Sequence, residues 1–414
     1  MKRKRRNQIG ISHDVQKAPP PYRKALLVAV AVLGAGAIIL YLSAVRRTVT
    51  PTVPLSAQSA TTSELKPEVL FRLTVDRALA VDQLFQQVYN DGWEAANGAI
   101  GEAFLYAATG NASLLSRYTS ERSFMRFFNG TWVDDRAWIC LAELYWYDVS
   151  GKHRSDWVAD AKQRYDEART EGRLSNHEGF WSWYNWAPNT KDQGQIISNS
   201  NTNQMVTVAC KLFEATGEKR YYNDALLVWE GDAKCPGIEK TFYRGEGRWE
   251  GKGGRAAFGK QLPWEEASYL SVVAALYRMT GKEKYKSIAV ESARRILDPA
   301  NNWVDSKDYY QRRMDGNGAF VHFLLDAYLI APDSLPDIPW KVGRMLEHVW
   351  SNHHGAAVVL LHRLNDNAIR NGWNPSGGEE GYGVDQIGTV HAQSQAMRAF
   401  GVFAFALHEQ MGKK

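Results

Sequence analysis

A chain of 414 residues that is 44% hydrophobic and 12% aromatic, with 15 Trp, can bury a sizeable core and reads as globular, as one large domain or two to three ordinary ones. Its formal charge of +5 does not mark a nucleic-acid binder. The first 24 residues hold eight Lys or Arg against Asp14, a balance of +7 that leaves −2 for everything from Ala25 onward.

Residues 1–24 therefore read as a basic cytosolic tail whose charges set topology. From Ala25 to Val45 there are 21 residues without a charge, enough to span a bilayer core of about 30 Å. The apolar run is longer than the roughly 7–15 residues of a cleaved signal peptide. Only Arg46 and Arg47 follow it, so the positive-inside bias predicts a retained signal anchor over residues 25–45, in contact with membrane lipid, and a single-pass type II protein with its bulk on the luminal or extracellular side. Residues 46–66 are dominated by Thr, Ser, Pro and Ala without periodicity, and read as a flexible stem.

From Pro67 to the end one phrase recurs: an aromatic, two residues, Thr or Ser, Gly, a short polar stretch and another aromatic. It runs from Tyr106 to Thr109-Gly110 and Tyr118, from Tyr147 to Ser150-Gly151 and Trp157, from Phe213 to Thr216-Gly217 and Tyr221, and from Tyr277 to Thr280-Gly281 and Tyr285. Each instance predicts a helix stopped by a left-handed glycine, a short loop, and a helix whose first-turn aromatic packs back on its predecessor. The glycines are 41, 66 and 64 residues apart, and residues 67–414 divide into six units of 58, each long enough for a helical hairpin. The predicted fold is all-α, an (α/α)6 barrel of six hairpins after one transmembrane helix, with an open solenoid as the alternative.

Asn111-Ala-Ser113 and Asn129-Gly-Thr131 are N-glycosylation sequons, usable on the exported side. Just beyond them lies Trp132-Val133-Asp134-Asp135-Arg136-Ala137-Trp138. The apolar side chains Trp138, Leu141, Ala142, Tyr145, Trp146 and Val149 follow at helical spacing, placing the two acids at a helix N-terminus. There the unpaired N–H groups and the dipole favour negative charge, so capping alone accounts for an Asp-Asp pair. Of the three cysteines, Cys140 reads as a buried thiol, Cys210 with Cys235 is the more plausible disulfide, and no metal spacing is present. Residues 242–260 and 371–383 are too rich in glycine for helix. Neither ends as a phosphate loop, so both read as loops on the surface or at one mouth of the barrel.

The Asp134-Asp135 helix, the later Phe180-Trp181-Ser182-Trp183, Ile197-Ser198-Asn199 leading into a helix, Asp315-Gly-Asn317-Gly-Ala-Phe320-Val321, Gln393-Ser-Gln395 and the Thr-Gly turns resemble, in order and spacing, glycoside hydrolase family 76 over roughly residues 80–405. The resemblance implies an (α/α)6 glycosidase domain acting on α-1,6-linked mannose, in a mannan or a mannose-containing glycan, without cofactor or metal. It implies Asp134 as nucleophile and Asp135 as general acid/base, while the sequence alone equally allows the reverse. Where family members often have an Asn-Gln pair, this chain has Glu265-Glu266, and a Gly-Gly ahead of the tryptophans is reduced to Glu178-Gly179, which alters the hydroxyls that can be bound.

The chemistry can be argued from the residues themselves. A retaining glycosidase needs two carboxyls about 5–5.5 Å apart, and neighbouring side chains at a helix's first turn can reach that separation, whereas deeper in the helix they diverge by about 100°. One charge then raises the pKa of the other. Trp132, Trp181 and Trp183 are candidate stacking platforms, with core packing as the alternative for each. Gln195 and Asn199 are candidate hydroxyl partners, and Glu265 and Glu266 are secondary acids or helix caps. A transglycosidase, a non-catalytic mannan-binding relative and a membrane-tethered structural protein are the competing readings. An epimerase would need paired histidines, and His322, His348, His353, His354 and His391 have no informative spacing.

Overall fold

The computed structural model describes residues 65–89, 92–121, 133–172, 199–234, 236–250, 263–301, 317–347, 350 and 389–412. Twelve α-helices are labelled here: α1 Pro67–Val88, α2 Trp93–Thr109, α3 Ala112–Glu121, α4 Val133–Val149, α5 Ser155–Gly172, α6 Asn199–Thr216, α7 Lys219–Glu230, α8 Gly237–Phe242, α9 Pro263–Thr280, α10 Glu283–Ile296, α11 Asn317–Ile330 and α12 Thr389–Gly412. Residues 338–347 are helical as well. The described residues contain no strand, only an isolated antiparallel bridge between Tyr243 and Trp249.

Burial separates these helices into two layers. In α2, α4 and α6 most residues, on every face, are buried, whereas α7 and α10 bury one face only. A helix apolar on one stripe belongs at a surface, and one buried all round must be enclosed. The enclosed set closes on itself: α2 packs on α4, α4 on α6, α6 on α9, α9 on α11, α11 on α12, and α12 back on α2. The outer helices cover this ring, with α1 on α12 and α2, α3 on α2, α5 on α4 and α6, α7 on α6, and α10 on α9 and α11. Contacts advance in the same sense along paired ring helices: Asn97 to Arg398 then Gly101 to Gly401, Gly318 to Gln395 then His322 to Arg398, and Glu94 to Asp135 then Phe104 to Tyr145. Trp138 to Trp264 then Tyr145 to Arg278, and Asn203 to Ser268 then Cys210 to Arg278, do the same, so the six run parallel and their N-termini meet at one end.

The recurring Thr-Gly phrase is explained by a hydroxyl used twice. Thr109, Thr216 and Thr280 each donate to the carbonyl four residues back, at 2.7 Å, and accept the N–H two residues on, at 3.1–3.2 Å. The following Gly110, Gly217 and Gly281 adopt φ of 66°, 70° and 68°. At Ser150-Gly151 the turn is one residue longer, and Lys152 joins Gly151 in the left-handed region, with φ of 64° and 81°. The aromatics differ from expectation. Their ring contacts run sideways between outer helices, Trp157 to Tyr118, Tyr221 to Tyr165 and Tyr285 to Trp229, because a first-turn residue on an outer helix faces its lateral neighbour.

Cys210 is a free, buried thiol inside ring helix α6, which overturns its expected pairing with Cys235; Cys235 lies outside the described residues. Cys140 is likewise free and buried. The tail, the span at 25–45 and most of the stem fall outside the described residues, among which no helix is long and apolar enough to cross a membrane.

Two glycine substitutions test the ring. A Cβ on Gly101 would stand 2.2 Å from the Met397 carbonyl oxygen, so α2 and α12 would have to part. Gly281→Ala meets no atom within 4 Å and suffers only its positive φ. Alanine's helix propensity favours Gly101→Ala by about 1 kcal/mol, but a Cβ 2.2 Å from a backbone carbonyl costs more than the about 1–3 kcal/mol of side-chain overpacking. We expect Gly101→Ala to lower the melting midpoint further than Gly281→Ala, which should cost about 1–2 kcal/mol. A wild-type midpoint for Gly101→Ala would show that the helices are not in backbone contact.

Candidate active site

The acids gather where the ring N-termini meet. Asp134 and Asp135 are the second and third residues of α4, inside the first turn rather than capping it from outside. Both are half-buried. The Asp134 carboxylate accepts the Asp135 backbone N–H at 3.2 Å, taking one of the orphan donors of the helix end. Burial pushes the Asp135 carboxyl well above the usual carboxylate range, and the charges of Asp134 and of Glu94, in the first turn of α2, push it further. Arg136, next in the chain, reaches Glu167 of α5 at 3.6 Å.

One turn deeper, Trp138 forms the floor below the pair. Its ring lies 5.9 Å from Trp264 of α9 and stacks at 6.3 Å on Phe323 of α11. The Arg398 guanidinium of α12 sits 4.5 Å from the Trp138 ring centre. Arg398 is fully buried, donates to Asn97 Oδ1 on α2, and bonds His322 Nδ1 on α11 through Nε at 3.1 Å. Burial lowers its guanidinium to about 9, so it remains a cation at neutral pH. The same burial, reinforced by the Arg398 charge, keeps His322 neutral. Its Nδ1 is then the acceptor, and Nε2 faces Asp326 Oδ2 at 3.7 Å, beyond hydrogen-bond reach.

The other expected site residues divide. Asn199 opens α6 at this end; its amide donates to the Tyr269 hydroxyl and to the Glu250 carbonyl at 3.1 Å, while its buried Oδ1 has no hydrogen-bond partner among the described residues. Glu265 and Glu266 are buried in the first turn of α9, where the Glu265 carbonyl accepts the Ser268 hydroxyl at 2.6 Å. Trp132, Trp181, Trp183 and Gln195 lie outside the described residues, as does Asn129. Asn111 caps α3, its Oδ1 accepting the Ser113 N–H at 3.1 Å and hydroxyl at 2.8 Å. Among the described residues no group of His, Cys, Asp and Glu could hold a metal ion.

Sequence reasoning missed Glu94, Trp264 and Arg398. For Arg398 the signal was there, a lone cation in the apolar run Met397-Arg398-Ala399-Phe400. Such a residue is expensive to bury and marks a partner waiting across the core.

No family model matches the sequence, and no curated protein matches it significantly. Solved structures do match. The chain is similar to an inactive variant of the α-1,6-mannanase GH76A of Salegentibacter sp. in complex with α-1,6-mannotetrose, in which two consecutive aspartates are replaced by alanine: identity is 16%, the TM-score 0.58, and the match covers 80% of this chain and 99% of that one. It is similar to a family 76 glycoside hydrolase from a bovine Bacteroides thetaiotaomicron strain, at 14% identity and TM-score 0.60 over 80% of this chain and 77% of that one. It also resembles Dfg5 from Chaetomium thermophilum in complex with glucosamine, at 14% identity and TM-score 0.56 over 85% and 93% of the two chains. The all-helical domain therefore has the barrel fold seen in glycoside hydrolase family 76 structures, as the sequence resemblance implied.

Linkage gives a test of the pair. In the unfolded chain Asp135 ionises near its ordinary value of 3.8, whereas the folded protein holds that proton to higher pH. Stability is thus undiminished below the unfolded value and falls as pH rises towards the folded one. Asp135→Asn removes that loss. Its melting midpoint should exceed that of wild type at pH 7, by about 2–4 °C per kcal/mol relieved, and the gain should vanish near pH 3. An equal gain at both pH values would refute a raised Asp135.

Proposed function

We propose that the domain is a retaining glycosidase acting on α-1,6-linked mannose in a polymer or glycan, with Asp134 and Asp135 as its catalytic pair. The observation that carries this is the placement of two adjacent carboxyls at the ring's N-terminal end, one of them pushed towards its protonated form by burial and by the charge of the other. Support comes from the fold, and from the consecutive aspartates whose replacement accompanies inactivity in the Salegentibacter enzyme.

In this mechanism Asp134 attacks the anomeric carbon while Asp135 gives its proton to the leaving oxygen. Asp135 then deprotonates the water that releases mannose from Asp134. The half-buried Trp264 offers an aromatic face to a sugar ring. A sugar hydroxyl in place of water would turn the same intermediate into a transfer product. The signal anchor over residues 25–45 remains part of the proposal, and it places this chemistry on a membrane's non-cytosolic side.

The test is incubation of the protein with α-1,6-mannan, following product size and anomeric configuration by NMR. Asp134→Asn and Asp135→Asn should each lower kcat by at least about 1,000-fold with helicity retained, and the rate should fall on the alkaline side as Asp135 loses its proton. Release of the inverted anomer would refute the retaining mechanism. Saturable binding without product in wild type would leave a binding protein.

A further inference from the structure

A cavity of about 640 Å³ lies beside the first turn of α9, and its lining carries three arginines. Arg244 and Arg248 come from the segment after α8, and Arg295 from the last turn of α10. The segment folds as a tight hairpin: the Arg244 N–H donates to the Arg248 carbonyl at 2.9 Å, and the Arg248 N–H to the Gly245 carbonyl at 3.0 Å. Gly247, at φ 72°, lies so close to α10 that a Cβ would meet the Glu291 carbonyl oxygen at 2.4 Å. Trp249 pins the hairpin, stacking on Tyr269 at 3.8 Å and donating its indole N–H to Ser292 at 2.9 Å. The arginines therefore project from a fixed frame.

Their partners are incomplete. Arg244 pairs with Glu250, but the guanidiniums of Arg248 and Arg295 have no ion pair or hydrogen bond among the described residues. Glu250 and Glu266 are the carboxylates on the lining, two against three. The dipole of α10 favours a cation at Arg295, but it does not account for Arg248, which another segment delivers to the same space. Converging like charges repel unless an anion stands between them, and planar guanidinium forks match phosphate and carboxylate. The volume is far larger than a lone ion and suits a small organic ligand. Glu266 ties the cavity to the ring's N-terminal end, because it shares the first turn of α9 with Trp264, which touches Trp138.

We propose that this cavity is an anion subsite, in which Arg248 and Arg295 hold a phosphate or carboxylate group carried on the glycan substrate. The glycan part rests on the glycosidase reading, whereas the anion part rests on the cavity alone. The test is calorimetric titration of the full-length protein in detergent with mannose, mannose 6-phosphate, glucose 6-phosphate, glucuronate and inorganic phosphate. At least one sugar anion should bind about ten-fold or more tightly than mannose. Arg248→Glu and Arg295→Glu should each reduce that preference, and Arg248→Ala, a truncation of an exposed side chain, provides a milder variant with the melting midpoint as the control for folding.

Preference for a sugar phosphate over glucuronate assigns phosphate, and the reverse assigns carboxylate. Equal affinity for mannose and every anion, or a preference that survives the double variant, would overturn the proposal. Inorganic phosphate binding as tightly as the sugar phosphates would overturn the glycan assignment and leave a simple ion site. Binding of both sugar phosphates together with no cleavage of mannan would leave the subsite standing and remove the glycosidase reading.

Discussion

The direct backbone contact of α12 with α2 is the constraint on which closure of the ring depends. A Cβ on Gly401 would lie 2.1 Å from the Gly101 carbonyl oxygen, and one on Gly101 would lie 2.2 Å from that of Met397, so the two backbones touch with no side chain between them. Gly318 on α11 repeats the arrangement against Gln395, where a Cβ would meet the carbonyl at 2.2 Å. Glycine is unfavourable in a helix interior by about 1 kcal/mol relative to alanine. Its use at three facing positions shows that the approach matters more than the local helix. Helix α12 closes the ring by packing on α2 as well as on α11.

That approach delivers Arg398. Lying between Met397 and Gly401, it has no route to solvent and must find its partners inside: Asn97 on α2, His322 on α11 and the Trp138 face on α4. Burying a guanidinium costs several kcal/mol, which hydrogen bonds and a desolvated cation–π contact offset only if the geometry is fixed. The cation thus joins four of the six ring helices, one turn beneath the acids. Other buried charges follow the same rule nearby, with Lys211 held by Asp148 at 2.8 Å and Asp326 accepting from Ser271 at 2.9 Å.

The fold was legible because its repeat has a local cause. A hydroxyl that closes one helix and caps the turn, followed by a left-handed glycine, needs only adjacent residues, so Thr109-Gly110, Thr216-Gly217 and Thr280-Gly281 announce themselves. The placement of Asp134 and Asp135 in a first turn was legible for the same reason. Glu94 was not, because its bearing on Asp135 arises from two helices meeting, which no spacing along the chain encodes. The misjudged cysteine has a comparable origin: the distance between two thiols is set by tertiary packing, and Cys210 faces the enclosed side of its helix. The lateral aromatic contacts failed similarly, since the turn fixes where a first-turn ring starts but not which neighbour it meets.

Parallel packing of the ring explains why acids accumulate where they do. Each helix brings about half a positive charge to its N-terminus, and all six point to the same end. Glu94, Asp134, Asp135, Glu265 and Glu266 occupy the first turns of α2, α4 and α9. A single acid there is stabilised by the dipole, typically by 0.3–1 kcal/mol. At Asp135 the balance is reversed, since burial and two neighbouring carboxylates outweigh the dipole and push the group towards its protonated form. The arrangement that recruits several acids to one end of the barrel therefore also keeps them from all ionising together, and Asp135 is the one held towards its protonated form.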